Sequence, residues 1–432
     1  MTKFFLLFTF CFIAFNLNAQ VFSINGEFKP RFEYRNGYGK LRPTNDSLDR
    51  AAAFISQRSR IYLNYADSNQ RLKLGAALQD IRNWGVTEQQ NIGDKNTLDL
   101  HEFWAELLLS DNLSLKAGRQ ELNYDNARLI GNSDWTQQAR SFDAALLKFE
   151  HQKKQFKLHL GVGLNSKSET LAKDVYDVAN FKYMQLLWMN KKFKNLNSSF
   201  LFLNNGVEYT VNKTIPVTSA NRKTAFSQTL GGRLEYNLNK FALNTEGYYQ
   251  TGRDATNKRL NAWDLGAELI TRPSTYFSVI AGAEILSGTA MDESDNKNHS
   301  FSPIYGTNHK FNGTMDYFFV GGRLTNKTGL EDYYISLKYT GKRFNAQLAP
   351  HAFYSMAEVL KDGNRLDNFL ALEADLSAGY KISDIATIQG GLSALKGSST
   401  LEYLNPGGDR KKLSTWAWTQ LIIKPKFFAV GK

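Results

Sequence analysis

Cysteine is almost missing: the only one in 432 residues is Cys11, which falls in a segment expected to be removed on export. The mature chain therefore has no disulfide, no thiolate metal site and no cysteine nucleophile. Phe8-Thr9-Phe10 before it are not the small residues that a lipid-anchored cysteine needs. After the first residues there is no run of about 18 apolar residues, which excludes a helical membrane protein. Gly-x-Ser-x-Gly, His-Glu-x-x-His, a phosphate-binding Walker loop and paired-cysteine zinc patterns are all missing. The six histidines are scattered, and each reads as a pore-facing or interface side chain. No composition shift, linker or low-complexity run marks a second domain.

What is present begins with a secretory signal. Met1-Thr2-Lys3 is a short basic start, residues 4–15 are apolar, and residues 16–19 form a small polar exit. Cleavage is expected after Ala19, and the apolar run is too short to cross about 30 Å of hydrocarbon as an anchor. The chain also carries 30 Phe, 20 Tyr and 7 Trp at a mean hydropathy of −0.41. Many aromatics, low mean hydropathy and an export signal together suggest a transmembrane β-barrel, whose outer apolar face hydropathy averages away because every second residue is polar. The net charge of +12 drops by one when Lys3 leaves. It reads either as ordinary solubility and attraction to lipid headgroups or as a lumen meant for anions.

Residues 22–35 alternate almost without fault. Phe22, Ile24, Gly26, Phe28, Pro30, Phe32 and Tyr34 fall on one side, and Ser23, Asn25, Glu27, Lys29, Arg31, Glu33 and Arg35 on the other. Period two places these sets on opposite faces of a strand, and five ionisable residues on one face suit a wet lumen better than a soluble core. Pro30 lacks the N–H of an interior strand, so a bulge or strand end is expected there. The pattern recurs in residues 155–164, 229–236, 263–269 and 370–379. Strand-like segments can be drawn near residues 22, 54, 70, 98, 113, 141, 154, 181, 198, 225, 240, 262, 275, 315, 332, 344, 369, 385 and 413. That is an odd number, and single-chain bacterial barrels have even ones, so one is a loop. The expectation is an all-β fold: one antiparallel transmembrane β-barrel over residues 20–432, of about 18 strands with 16 as the fallback. Residues 36–50, 205–222, 287–312 and 398–412 read as long loops. The aromatic stretch 416–428 reads as the closing strand, with residues 429–432 beyond it.

Candidate chemistry is sparse. Residues 292–298 place oxygen ligands at alternate positions, but lack the glycine and closing glutamate of a calcium loop, so a solvated acidic loop is the reading. Glu102 and Glu106 flank Trp104 and read as lumen lining rather than a hydrolase pair. Strand-borne cations remain: Arg58 and Arg60 on one face of one strand, then Arg233, Arg323 and Lys338 on others. Around a wet pore they would favour anions, unless they pair with lumen carboxylates and only stiffen the wall.

Residues 115–143 gather the most charge, with Arg119, Arg128, Arg140, Asp134 and Asp143 in one connection. Gly118-Arg119-Gln120, Tyr124, Arg128-Leu129-Ile130-Gly131-Asn132, Asp134-Trp135 and Arg140-Ser141-Phe142-Asp143-Ala144 closely resemble the signature of the alginate export family of outer-membrane porins. The strand Glu102-Phe103-Trp104-Ala105-Glu106-Leu107 and the segments 305–311 and 315–318 are similar to further parts of that family. The resemblance implies a monomeric barrel in the cell outer membrane, with a lumen rich in arginine and lysine that passes an acidic polysaccharide by passive diffusion. It also implies that Arg119, Arg128 and Arg140 are cations at the constriction, held by Asp134 and Asp143. Counting Glu121 and Asp125, the segment is nearly charge-balanced, so it reads as a folded-in, hydrogen-bonded constriction element. Strict alternation from Leu113, Leu115 and Ala117 would turn Arg119 to the lipid side, where an arginine costs about 2–4 kcal/mol at midplane. Either the strand ends or bulges near Gly118, or Arg119 lies at the interface.

The expected function is thus an outer-membrane porin for an alginate-like polyuronate or its oligomers, without catalysis, cofactor, metal or nucleic-acid partner. Its expected partners are lipid and the anionic polysaccharide, with a periplasmic partner left open. A general small-anion porin, and a plugged barrel or outer-membrane enzyme, are the alternatives.

Overall fold

Alternation of this kind leaves every backbone group to be paired by a neighbouring strand, and a closed barrel pairs them all. The computed structural model describes residues 20–86, 97–172, 176, 180–212, 218, 221–318 and 327–431; the expected signal and Arg323 lie outside them. The strands are β1 Val21–Asn36, β2 Ala52–Ala66, β3 Leu72–Asn83, β4 Leu98–Ser110, β5 Leu113–Gln120, β6 Phe142–His151, β7 Phe156–Leu164, β8 Tyr183–Lys192 and β9 Leu196–Thr210. They continue as β10 Arg222–Asn237, β11 Phe241–Arg253, β12 Arg259–Thr271, β13 Phe277–Leu286, β14 Leu330–Thr340, β15 Phe344–Tyr354, β16 Phe369–Lys381 and β17 Ala386–Gly397. The last, β18, runs as Ser414–Ile423 and Lys426–Val430. Each pairs antiparallel with the next, and β1 pairs with both pieces of β18, closing an 18-strand barrel.

Details of the closure settle three expectations. The pairing of β1 with β18 skips from Phe28 opposite Ile423 to Arg31 opposite Gln420, so the missing N–H of Pro30 falls where the ladder is interrupted. The closing strand runs beyond the aromatic stretch, with Phe428 opposite Ile24 and Val430 opposite Phe22. The surplus strand-like segment is the one near residue 315: Met315, Tyr317 and Phe318 are buried inside the barrel on a long connection between β13 and β14.

Short and long connections alternate. Residues 67–71, 111–112, 152–155, 193–195, 238–240, 272–276, 341–343 and 382–385 form one rim, and the longer loops, with the short connection 254–258, leave the other, as periplasmic turns and external loops do in outer-membrane barrels. Outside, exposed Phe28, Phe32, Leu230, Leu234, Leu265 and Leu269 form the apolar belt, while Glu27, Lys29, Arg31, Glu33, Arg58 and Asp264 point inward and are buried. Burial inside a barrel means that something fills it. Leu146, Met184, Leu186, Leu201 and Leu203 on β6, β8 and β9 make one sector of the inner wall apolar, and they cluster with Leu122, Tyr124, Leu129 and Ile130 of an inward-folded loop.

Candidate functional site at the lumen constriction

The loop of residues 121–141 leaves β5 and turns into the barrel. Asp125, Ala127, Ser133 and Ala139 all adopt positive φ, a conformation that non-glycine residues hold only when their surroundings enforce it. The apolar anchor is one such restraint. A second inward segment is another: Tyr305 N–H donates to the Leu129 carbonyl at 3.2 Å, Gly131 N–H to Tyr305 at 2.9 Å and Thr307 N–H to Ala127 at 2.9 Å. The two loops lie so close that a Cβ at Gly131 would meet Thr307 Oγ1 at 2.2 Å, which explains the glycine.

The wall holds the other side of the loop. Asp134 accepts from Lys29 Nζ at 3.0 Å and from Arg58 Nη2 at 2.6 Å. Arg58 also donates to Glu27 at 2.7 Å. Arg31 donates to the Trp135 carbonyl at 2.6 Å and stacks over its ring at 3.9 Å. Arg60 reaches the Gln138 carbonyl at 3.3 Å and lies 3.6 Å from Glu121. Burial alone would raise the Asp134 carboxyl, but the charges of Lys29 and Arg58 outweigh it and hold it below the usual carboxylate range. Across the lumen Arg128 is buried against β12 and β13, with Nε 2.6 Å from Glu284 and 3.6 Å from Asp264. Its Nη2 donates to Asn312 at 3.1 Å. Residues 121–141 thus bridge the barrel from the β1–β3 wall to the β12–β13 wall.

These positions correct the expected site in several respects. Arg119 and Asp143 do pair, at 2.9 Å, but on the outer face. The strand continues through Gly118 without a bulge, and Arg119 lies opposite Phe103, which is 64% exposed. Asp134 holds wall cations rather than the loop's arginines. Arg128 is 1% exposed and is a strut, not a pore-facing cation. Arg140 donates to the carbonyls of Gly131, Tyr305 and Gly306, and burial without a carboxylate partner lowers its pKa. Arg58 and Arg60 face inward as expected but lie beneath the loop, so they pin it instead of lining the pore. Arg323 is outside the described residues.

Between residues 308–314 and the wall formed by β10 to β18 lies a cavity of about 460 Å³. Arg233 and Lys338 line it, together with Lys310, which the alternation could not reveal because it sits on a loop, although it falls within the family-like segment 305–311. Arg233 is held by Glu235 and Glu246, each at 2.9 Å. Lys310 donates to the Asn126 carbonyl at 2.9 Å; neither it nor Lys338 has a carboxylate within ion-pair distance among the described residues. Burial and the neighbouring charge of Arg233 lower Lys310 below the ordinary lysine value, with Lys338 adding to the effect. The lining carboxylates already have donors. Glu246 accepts from Asn126 at 2.7 Å, Glu268 from Asn244 at 2.9 Å and Tyr334 at 2.7 Å, and Asp332 from His351 at 2.9 Å. Asp375 accepts from Thr314.

Other candidates are satisfied locally. Glu106 accepts from Ser114 at 2.7 Å and Lys148 at 2.9 Å, and Glu102 from the Glu121 N–H at 2.9 Å. Glu293, Asp295 and His299 approach one another within 4.8 Å, with Lys297 2.7 Å from Asp295.

The family model for alginate export matches residues 21–321. The chain belongs to the alginate export family. Among solved structures it resembles the Pseudomonas aeruginosa protein OccK3 (OpdO), at 11% identity and a TM-score of 0.60 over 94% of this chain and 96% of that one. It also resembles Acinetobacter baumannii OccAB1, at 14% identity and a TM-score of 0.58 over 94% and 97%. Identities this low speak for the fold alone. No curated protein matches the chain. Family and fold together make it an outer-membrane porin.

Proposed function

We propose that this alginate export family member lets an anionic polysaccharide or its oligomers, of the alginate-like polyuronate kind, diffuse passively through its lumen. The observation that carries the reading is the grouping of Arg233, Lys310 and Lys338 around one cavity, with two of the three lacking a carboxylate partner among the described residues while the lining carboxylates have donors of their own. A polyuronate presents a carboxylate on every sugar, and amine and guanidinium donors pair with it by charge-assisted hydrogen bonds. Passage also requires weak binding. The nearby carboxylates Glu246 and Glu268 lower the net positive field, which suits release. We read the protein as a monomer, as the family likeness implies, and its lumen as a path without chemistry.

The test is single-channel recording in planar bilayers. An anion-selective current blocked by alginate oligomers, but not by neutral oligosaccharides of equal length, is expected. Anion current without oligomer block would point to a small-anion porin. A silent barrel would point to a lumen plugged by its inward loops.

A further inference from the structure

Charge is distributed unevenly around the short-turn rim. The turns 67–71, 111–112 and 382–385 each carry an aspartate, whereas the five consecutive turns 152–155, 193–195, 238–240, 272–276 and 341–343 contain basic residues and no acid, and the last three adjoin a groove on the outer face. The turns 238–240, 272–276 and 341–343 are neighbours: Arg272 N–H donates to the Lys240 carbonyl at 2.8 Å, and Thr340 N–H to the Tyr276 carbonyl at 2.8 Å. Lys240, Arg272, Lys342 and Arg343 therefore stand side by side, and none has an ion-pair partner among the described residues. Phe241, Tyr276, Phe277 and Phe344 next to them are exposed, as aromatic side chains are at a membrane interface.

Above these turns the outer face is grooved. Ala267, Ala281 and Ala283, small residues on β12 and β13, form the floor of a depression of about 610 Å³, flanked by Leu243, Leu269 and Ile335. The flanking side chains are about half exposed. Leu243 and Leu269 lie opposite each other in the β11–β12 pair, each three residues from a turn cation, Lys240 and Arg272 respectively. The Leu243–Leu269 end of the groove thus lies one short strand segment from a cluster of cations that have no ion-pair partner among the described residues.

We propose that this groove and the turn cations form a binding site for one anionic phospholipid. An acyl chain lies along Ala267, Ala281 and Ala283, and the headgroup phosphate is held by Lys240 and Arg272, with Lys342 and Arg343 adding positive charge. Two features commit the site to a lipid rather than an acidic protein: the groove lies within the hydrophobic belt, and the aromatics bracket the cations at the interface. A phospholipid with no headgroup amine leaves its phosphate charge uncompensated, so phosphatidylglycerol fits better than phosphatidylcholine.

The purified, detergent-folded barrel is titrated with each lipid, and bound lipid is counted by native mass spectrometry, with heat-induced unfolding on gels as a second readout. One phosphatidylglycerol should be retained in preference to phosphatidylcholine. Lys240→Gln with Arg272→Gln should weaken retention by about fivefold per removed charge. Ala281→Leu, which fills the groove without touching the cations, should weaken it independently. Equal retention of both lipids, or retention unchanged in both variants, overturns the proposal. Competition by soluble glycerol phosphate as strong as by the lipid would show an anion site without an acyl groove, and displacement by alginate oligomers would give the cations to substrate. Either result rejects the lipid site.

Discussion

Arg58 Nη2 lies 2.6 Å from Asp134 Oδ1, joining strand β2 of the wall to a loop 76 residues further along the chain. Arg58 is fully buried and is shared with Glu27 at 2.7 Å. Removing one partner of a buried pair leaves the other uncompensated, at a cost of about 3–5 kcal/mol. Roughly half of that applies here, because Asp134 is partly exposed and keeps Lys29, and buried Glu27 keeps Lys424 at 3.2 Å. Arg58→Ala is therefore expected to loosen residues 121–141 without unfolding the barrel. The measurement is open-channel noise and mean conductance, both of which should rise; a quiet channel of unchanged conductance would show that the loop needs no pin there.

The same carboxylate makes the constriction acid-sensitive. Its native pKa is depressed, so its contribution to docking is complete above the unfolded value of about 3.9 and is lost as pH falls through the lower native value. Channel noise should stay flat through neutral and mildly acidic pH and rise only below about pH 4. Asp134→Asn should show raised noise at every pH and no acid transition at that point.

Arg128 and Arg119 separate a strut from a bystander. Arg128 is enclosed with Glu284 and Asp264, and Arg128→Met should cost about 3–5 kcal/mol in urea unfolding of the folded barrel. Arg119 and Asp143 are exposed, and Arg119→Ala should stay within about 1 kcal/mol and leave conductance untouched. Comparable losses in the two variants would contradict the outward placement of Arg119.

The barrel was legible because each strand carries its own evidence: Phe28 and Phe32 outside, Lys29 and Arg31 inside, by period two alone. The outward turn of Arg119 was legible too, since alternation from Leu115 pointed there while the family likeness pointed to the constriction. The partners of Asp134 were not. Lys29 and Arg58 are distant in sequence, and no local pattern records that a loop folds back onto them. The segment near Met315 misled for a related reason. Met315, Asp316, Tyr317 and Phe318 are all buried, with Asp316 at positive φ, and an irregular loop folded into a barrel carries apolar residues as a strand does. The run Leu201-Phe202-Leu203 did hold a usable signal. Apolar residues on both faces of a barrel strand mean that its lumen side is covered, here by Leu122 and Ile130.

Lys310 and Lys338 decide whether the lumen prefers anions. A hydrogen bond to a charged partner is worth about 1.5–3 kcal/mol, so Lys310→Gln or Lys338→Gln should weaken block by an alginate oligomer about tenfold or more. Block by a neutral oligosaccharide should not change. Burial and neighbouring Arg233 depress Lys310, so its ammonium is lost on raising pH before that of an ordinary lysine near 10.4 would be. Wild-type block should therefore weaken on the alkaline side earlier than in Lys310→Gln, which has already lost that group. At 1 M salt, where the screening length shrinks to about 3 Å, wild type and both variants should converge. If block persists undiminished at low salt when Lys310→Gln and Lys338→Gln are combined, the grip on the carboxylates lies elsewhere in the lumen, and Arg233 is the next residue to replace.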